Sequence, residues 1–208
     1  MTEIDVNLNM VIIGESGVGK TSLLMRYIHD EFGDVKPTVG IDYMKKTIEN
    51  GDQRVLVRFW DTAGTEKFSS LTDNSFRSAS GVFLVYDVSN RETFDQVRMW
   101  LLKVRDKCRA NIKIMLIGNK VDLMQDRKVS ADEGEKFAAE NGLFFFETSA
   151  KVNDKQRVQQ AFNTLSLEAL KIQEVEHEKR VSASNGIRTS LIVREVAQAQ
   201  ERKKNCCN

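Results

Sequence analysis

A short stretch early in the chain combines glycines, a lysine and a threonine at a spacing suited to holding phosphate groups. Directly after the apolar run 10–13, the sequence reads Gly14-Glu15-Ser16-Gly17-Val18-Gly19-Lys20-Thr21-Ser22. Successive backbone N–H groups of such a loop, with the positive end of the following helix, cradle nucleotide phosphates. The lysine reaches the β- and γ-phosphates, and the threonine hydroxyl binds Mg²⁺. The alternative is a flexible glycine turn before a helix, but the complete pattern favours a site for a nucleoside triphosphate.

A carboxylate and a glycine follow a second apolar run, 55–61, in the segment Asp61-Thr62-Ala63-Gly64. Asp61 at the end of this strand can hold Mg²⁺, usually through water. Gly64 leaves room for its N–H to meet the γ-phosphate, because glycine carries no side chain.

Thr38, in the segment 36–40, supplies a hydroxyl and backbone groups that can close over Mg²⁺ and the γ-phosphate. Such contacts exist only while the γ-phosphate is present. We therefore expect the first switch segment (36–40) and the second switch segment (62–76) to order with triphosphate and relax with diphosphate. The predicted metal ligands are Thr21, Thr38 and Asp61.

Two later segments can distinguish guanine from adenine: Asn119-Lys120-Val121-Asp122 and Thr148-Ser149-Ala150-Lys151. Asp122 can accept the ring N–H and the exocyclic amine of guanine, a pair of donors that adenine lacks. An unpaired buried carboxylate is costly, so discrimination on the order of 10⁴-fold is achievable. A backbone N–H of the second segment can meet the guanine oxygen. Each segment alone is weak, but their order, each after a strand, favours a guanine nucleotide over a P-loop kinase or ATPase. The predicted base contacts are Asn119, Lys120, Asp122, Ser149, Ala150 and Lys151.

Apolar runs that alternate with helical patterns must position these loops. Strands are predicted over 8–13, 43–49, 55–61, 82–87, 112–118 and 143–147, and helices near 20–30, 92–109, 131–141 and 156–175. Continuous apolar runs are typical of strands covered on both faces of a parallel sheet. The turn at 50–52 predicts one antiparallel hairpin. The sequence thus predicts a doubly wound α/β fold: a mostly parallel six-stranded sheet with one antiparallel edge strand, helices on both faces, and ligand loops at the carboxyl ends of the strands.

The helix predicted over 92–109 has one apolar stripe, formed by Phe94, Val97, Trp100, Leu101 and Val104. Residues at spacings of three and four share a helix face, so we expect this stripe to pack in the core and not to bind a cofactor.

Composition narrows the class of protein. The 208 residues are 41% hydrophobic and 29% charged, with a net charge of +1, which argues against a dedicated nucleic-acid binder. No apolar run is long enough to span a membrane, and the first residues lack the features of a signal peptide. Of the three cysteines, two are adjacent and Cys108 has no evident partner, a usage that fits a reducing cytoplasm.

The charge is unevenly distributed along the chain. Residues 176–208 are basic on balance, and residues 1–175 are slightly acidic. We expect a nucleotide-binding domain over 1–175 and a flexible tail over 176–208, with a helix break at 182–186.

The nucleotide loops resemble those of Ras-superfamily small GTPases across about residues 7–175, and the stretches 39–43, 67–68, 75–79 and 84–88 resemble Rab signatures. The resemblance implies hydrolysis of GTP to GDP and phosphate, with catalytic groups at Lys20, Thr38, Gly64 and position 65. It implies that effectors read Val39, Gly40, Ile41, Asp42, Tyr43, Trp60 and Phe76. The three aromatics of that set can equally pack between the switches and the sheet, and both interpretations can hold. Phe32 matches an aromatic that packs edge-on to guanine, or it is an ordinary apolar residue at a helix end.

Thr65 departs from the family pattern, because the family usually has there the glutamine that orients the attacking water. Threonine is too short and has no amide. We therefore expect slow intrinsic hydrolysis and a long-lived GTP state. The alternative is a GTP-binding scaffold with negligible hydrolysis. TBC-type activating proteins of this family supply an arginine and a glutamine in trans, so stimulated turnover can persist.

The chain ends Arg202-Lys203-Lys204-Asn205-Cys206-Cys207-Asn208. Asn205 stands where a CaaX signal requires cysteine. The double cysteine resembles Rab tails, which implies geranylgeranylation of Cys206 and Cys207. Two lipid chains anchor a protein stably in a bilayer. The three basic residues 202–204 either add attraction to an anionic leaflet or are simply a solvated end.

The resemblance also implies several partners: an exchange factor, a TBC-type activating protein, a GDP dissociation inhibitor, a Rab escort protein with its geranylgeranyl transferase, and effectors. It implies a monomer on the cytoplasmic face of endomembranes, cycling with the cytosol, in vesicle traffic.

Overall fold

The computed structural model describes residues 6–33, 38, 41–62, 70–152 and 155–205. In chain order its elements are β1 (Val6–Ile13), α1 (Lys20–His29), β2 (Ile41–Asn50), β3 (Gln53–Thr62), α2 (Ser70–Arg77), β4 (Gly81–Asp87), α3 (Arg91–Asp95), α4 (Val97–Lys107), β5 (Lys113–Asn119), a 3₁₀ turn (Met124–Asp126), α5 (Ala131–Asn141), β6 (Phe144–Glu147) and α6 (Lys155–Asn205).

The six strands form one sheet in the order β2-β3-β1-β4-β5-β6. Only the β2–β3 hairpin is antiparallel within this sheet, and Gly51 turns it with a φ of 60°. β1 lies between β3 and β4, so the strand order reverses at its carboxyl end, where ligands of doubly wound sheets bind. The predicted fold class is confirmed. The loop after β1 lies at the topological switch point, where the strand order reverses.

Two apolar layers cover the two faces of the sheet. Alternate residues of β1 point to opposite layers, because side chains along a strand alternate between its faces. Leu8, Met10 and Ile12 pack with α1 and the first turns of α6, whereas Val11 and Ile13 pack with α2 to α5. The first layer is centred on an aromatic stack of Phe162 on α6, whose ring centroid lies 4.4 Å from that of Phe83 and 4.7 Å from that of Tyr27.

The helix predicted over 92–109 is two helices, α3 and α4, which meet at Gln96. Gln96 keeps right-handed angles, φ −76° and ψ −15°, so the interruption is confined to one residue. The apolar stripe therefore stays aligned across it, and its residues are buried as predicted. Asn90 caps α3 by accepting a hydrogen bond from the N–H of Glu92, a common way to satisfy the first amides of a helix.

Two features of the secondary structure differ from the predictions. No helix is predicted within 62–76, but α2 begins at Ser70, and buried Phe76 fixes its last turn to the sheet. The helix break predicted at 182–186 is wrong, since α6 continues to Asn205. Relative to alanine, serine, asparagine and glycine each make a helix less favourable by about 1 kcal/mol or less, which is a small free-energy cost within a long helix.

The chain divides into two units, Met1–Leu170 and Lys171–Asn208. Among the described helices, none has an apolar stretch long enough to cross a bilayer.

Truncating Phe162 tests the aromatic stack. We expect Phe162→Ala to lower the free energy of unfolding by about 3–5 kcal/mol, because the ring is fully buried and its removal leaves a cavity. Urea unfolding followed by circular dichroism measures the change. Met99→Ala is the matched control: this side chain is 61% exposed, and its loss should change stability by about 0.5 kcal/mol or less. Equal effects of the two variants would contradict the described core.

Candidate functional site

The loop between β1 and α1 turns by means of glycines with positive φ, namely 141° at Gly14, 77° at Gly17 and 95° at Gly19. Two of them also lie against other parts of the chain. A Cβ on Gly14 would stand 2.1 Å from the carbonyl oxygen of Val85, and one on Gly19 would stand 2.4 Å from Nδ2 of Asn119. Glycine at these two positions is therefore required both by the backbone angle and by the space.

Lys20 begins α1 and folds back over this loop. Its Nζ donates hydrogen bonds to the carbonyl oxygens of Gly14 at 2.8 Å and Glu15 at 2.9 Å. Burial lowers the pKa of Lys20 to about 8, while the negative charges of Asp61 and Glu15 act in the opposite direction. At neutral pH the ammonium thus remains mostly protonated and is held inside the curve of the loop.

Two hydroxyls and one carboxylate meet beside Lys20. Thr21 Oγ1 donates to Asp61 Oδ2 at 2.6 Å and lies 3.0 Å from Thr38 Oγ1, which in turn lies 3.3 Å from the same carboxylate oxygen. The other oxygen, Oδ1 of Asp61, is buried without a hydrogen-bond partner among the described residues. Burial raises the pKa of Asp61, and hydrogen bonding from Thr21 opposes this.

Hard oxygen ligands of this kind, one of them a buried and unpartnered carboxylate oxygen, suit Mg²⁺. The structure thus brings together the three predicted metal ligands, Thr21, Thr38 and Asp61, and they fit the ion. In the described part of the chain, no group of three or more His, Cys, Asp or Glu residues forms a different metal site.

Asn119, at the end of β5, joins two loops of the site. Its Nδ2 donates to the carbonyl oxygen of Val18 at 2.8 Å, and its Oδ1 accepts from the N–H of Ala150 at 3.3 Å. The side chain is buried, so these bonds are shielded from water. The loop between β1 and α1, called the phosphate loop from here on, and the loop after β6 are thereby fixed to the same strand end.

The loop after β6 orients Asp122 through Ser149. Ser149 Oγ accepts from the N–H groups of Lys151 at 3.1 Å and Val152 at 3.2 Å, and donates in turn to Oδ1 of Asp122. Lys151 Nζ lies 4.0 Å from the second carboxylate oxygen. Lys120 has a positive φ of 68°, and its Nζ pairs with Asp87 at 2.7 Å. Of the six predicted base contacts, Ser149 and Lys151 thus lie at the carboxylate of Asp122, Asn119 and Ala150 share a hydrogen bond, and Lys120 pairs with Asp87.

The predicted aromatic residues lie in different environments. Tyr43 is 52% exposed, and its ring lies 5.3 Å from that of Trp60, whose indole N–H is buried without a partner among the described residues. Phe76 is fully buried, with Lys103 Nζ 5.6 Å from its ring. Packing therefore accounts for Phe76, whereas Tyr43 presents a face that a partner can touch. Phe32 is 46% exposed.

Three side chains around the site make contacts that the sequence alone did not predict. Trp100, predicted only to pack, also donates its indole N–H to Glu15 Oε1 at 3.0 Å. Asp87 holds Lys120, and Arg26 donates to the carbonyl oxygen of Ala150. No local pattern marks them, because each contact joins residues far apart in the sequence. The predicted residues Val39, Gly40, Gly64, Thr65, Cys206 and Cys207 lie outside the described residues.

Comparison with known proteins agrees with this geometry. A model of the Ras family matches residues 9–171. GTP-binding protein ypt3 of Schizosaccharomyces pombe is 42% identical over 171 residues, which cover 82% of this chain and 79% of that protein. Ras-related protein Rab-25 of Homo sapiens is 39% identical over an alignment of 214 positions, which covers 99% of this chain and 97% of that protein. Ras-related protein Rab-8A of Rattus norvegicus is 37% identical over 190 residues, with 90% and 91% covered. The chain therefore belongs to the Ras family, within its Rab branch of GTP-binding proteins, and it is a GTPase.

Proposed function

We propose that this Rab-like GTPase is a membrane-anchored GTP/GDP switch in vesicle traffic, which hydrolyses GTP slowly and recruits effectors while GTP is bound. The main support for the proposed switch is the contact of the Thr38 hydroxyl with the side chains of Thr21 and Asp61. Thr38 belongs to the first switch segment, whereas Thr21 and Asp61 belong to α1 and β3. One small group of oxygens therefore connects the first switch segment to the body of the domain.

The residues of this site divide the tasks of the proposed hydrolysis, an in-line attack of water on the γ-phosphate. Lys20 and the N–H groups of the phosphate loop stabilise negative charge on the phosphate oxygens. Thr21, Thr38 and Asp61 would hold Mg²⁺, which supplies further charge neutralisation when bound. We assign the N–H of Gly64 to the γ-phosphate, in line with the family resemblance.

The switch follows from where these contacts lie. Thr38 gains its contact with Mg²⁺ and the γ-phosphate only in the triphosphate state, so loss of that phosphate releases the first switch segment. The exposed ring of Tyr43 lies at the start of β2, next to that segment. Effectors that contact Tyr43 together with the segment would then distinguish the two states.

The tail supplies the anchor in this proposal. Residues 1–175 form the GTP-binding domain, and 176–208 carry geranylgeranyl groups on Cys206 and Cys207 at the cytoplasmic face of endomembranes. An exchange factor, a TBC-type activating protein, a GDP dissociation inhibitor and a Rab escort protein with its transferase are the proposed regulators. Two lipid chains are needed because one chain binds a bilayer only marginally and reversibly.

Thr65→Gln tests the proposed slow hydrolysis. We expect this variant to hydrolyse GTP faster than the wild type by about one to two orders of magnitude, because the added amide can orient the attacking water. Single-turnover release of phosphate from GTP-loaded protein measures the rate. Thr65→Ala, which adds no amide, should show no gain. Equal rates for Thr65→Gln and the wild type would end this explanation. Turnover that a TBC-type activating protein cannot raise above background would favour the scaffold alternative.

Replacing both terminal cysteines tests the anchor. We expect Cys206→Ser with Cys207→Ser to move the protein from the membrane fraction to the soluble fraction of a eukaryotic cell, because both lipid attachment points are lost. Each single replacement should leave weak, reversible binding through one chain. Cys108→Ser is the control and should stay on membranes, since this half-buried thiol lies in the body of the domain. Full membrane retention of the double variant would contradict the proposal.

A further inference from the structure

Arg26, on α1, is a buried cation whose contacts the proposed function does not use. Its side chain is 8% exposed, and it forms an ion pair with Asp30 at 3.1 Å. A buried charge is costly unless its N–H groups find acceptors. The position of those acceptors therefore indicates what the guanidinium holds in place.

The guanidinium makes contacts in two directions. Its Nε donates to the carbonyl oxygen of Ala150 at 3.0 Å, across 124 positions of sequence. Its Nη1 donates to the backbone carbonyl of Asp30 at 2.9 Å and to Oδ1 of the same residue. Asp30 ends α1 in a left-handed conformation and also pairs with Lys155 at 3.2 Å. One nitrogen thus holds the loop after β6, and the other holds the end of α1.

The contact with Ala150 reaches the base-reading carboxylate through one peptide group. The carbonyl of Ala150 and the N–H of Lys151 belong to the same planar peptide unit, so holding one edge orients the other. That N–H donates to Ser149 Oγ, and Ser149 donates to Asp122. The N–H of Ala150 itself points to Asn119 Oδ1. Arg26 therefore holds a carbonyl of this loop, whereas the bonds to Asn119 and Ser149 hold two of its N–H groups.

On the basis of the proposed guanine-nucleotide site, we propose that Arg26 is a positioning residue for base recognition. Its Nε–H fixes the carbonyl of Ala150 and thereby keeps the loop after β6 aligned with Asp122. The second direction of contact, from Nη1 to Asp30, secures the end of α1 and is not needed to recognise the base.

Two substitutions separate these directions. The side-chain amide nitrogen of glutamine is the same number of bonds from Cα as Nε of arginine. Arg26→Gln therefore keeps a donor for Ala150 and loses both contacts with Asp30. Arg26→Met keeps a similar length and loses all three hydrogen bonds. Arg26→Lys is a further variant in case the methionine variant does not fold, because it keeps a cation near Asp30 but places a methylene where Nε stands.

The experiment measures the affinities of the full chain for GDP and for 2-aminopurine riboside diphosphate, with Mg²⁺ present. The analogue keeps both phosphates and the exocyclic amine but lacks the oxygen at position 6 and the proton at N1. The ratio of the two affinities thus reports base recognition, since phosphate contacts cancel. We expect Arg26→Met, or Arg26→Lys in its place, to reduce the preference for GDP about tenfold. Arg26→Gln should keep it within about twofold of the wild type.

A purely structural role of Arg26 gives a different result. General loosening of the fold weakens both nucleotides in proportion and leaves the ratio unchanged, and that outcome would overturn the proposal. So would a glutamine variant that loses as much preference as the methionine or lysine variant. A wild-type protein that binds neither nucleotide would refute the proposed guanine-nucleotide site itself, and with it the role of Arg26.

Discussion

The amide of Asn119 is the contact on which the rest of the site depends. It donates to Val18 in the phosphate loop and accepts from Ala150 in the loop after β6, at the end of a central strand. Because the side chain is buried, either loop could move only by leaving a polar group unpaired away from water. One short side chain thus joins the loop proposed to hold the phosphates to the loop proposed to read the base. Gly19 is part of this constraint, since a Cβ there would collide with the same amide.

The sheet and the first switch segment contribute different kinds of contact. Asp61 and Asn119 lie on strands at the carboxyl edge of the sheet, where strand pairing fixes their positions. Lys20 begins α1, and Asp122 lies shortly after β5. Thr38 lies in neither a helix nor a strand, and among the described residues its hydrogen-bond partners are the hydroxyl of Thr21 and the carboxylate of Asp61. A contact made by a side chain outside the regular elements can be gained or lost without disturbing the sheet. In the proposed switch, this division lets one domain bind its ligand rigidly and still respond to the number of phosphates.

Much of the site could be predicted from the sequence because its chemistry depends on residue type at short spacing. The glycines, Lys20 and Thr21 have to be neighbours, and Asp122 follows Asn119, the last residue of a strand, within one short turn. Arg26 could not be found in this way: an arginine on a short amphipathic helix is typical of a solvated face, and its acceptor on Ala150 is brought near only by tertiary packing. The same limit applies to Trp100, whose apolar spacing predicted burial but not the bond to Glu15. The break predicted within α6 is wrong for another reason, since weak local propensity alone does not end a long helix.

Competition between GTP and ATP tests most directly whether these strand-end loops recognise a guanine nucleotide. The measurement is displacement of a fluorescent GDP analogue from the full chain by each triphosphate, with Mg²⁺ present. Asp122, oriented by Ser149, can satisfy both donors of guanine, whereas adenine leaves the carboxylate unpaired. We predict that ATP displaces the analogue only at concentrations on the order of 10⁴-fold higher than GTP, so that the preference of the site for GTP is large. Displacement by ATP at the same concentration as GTP would contradict this prediction.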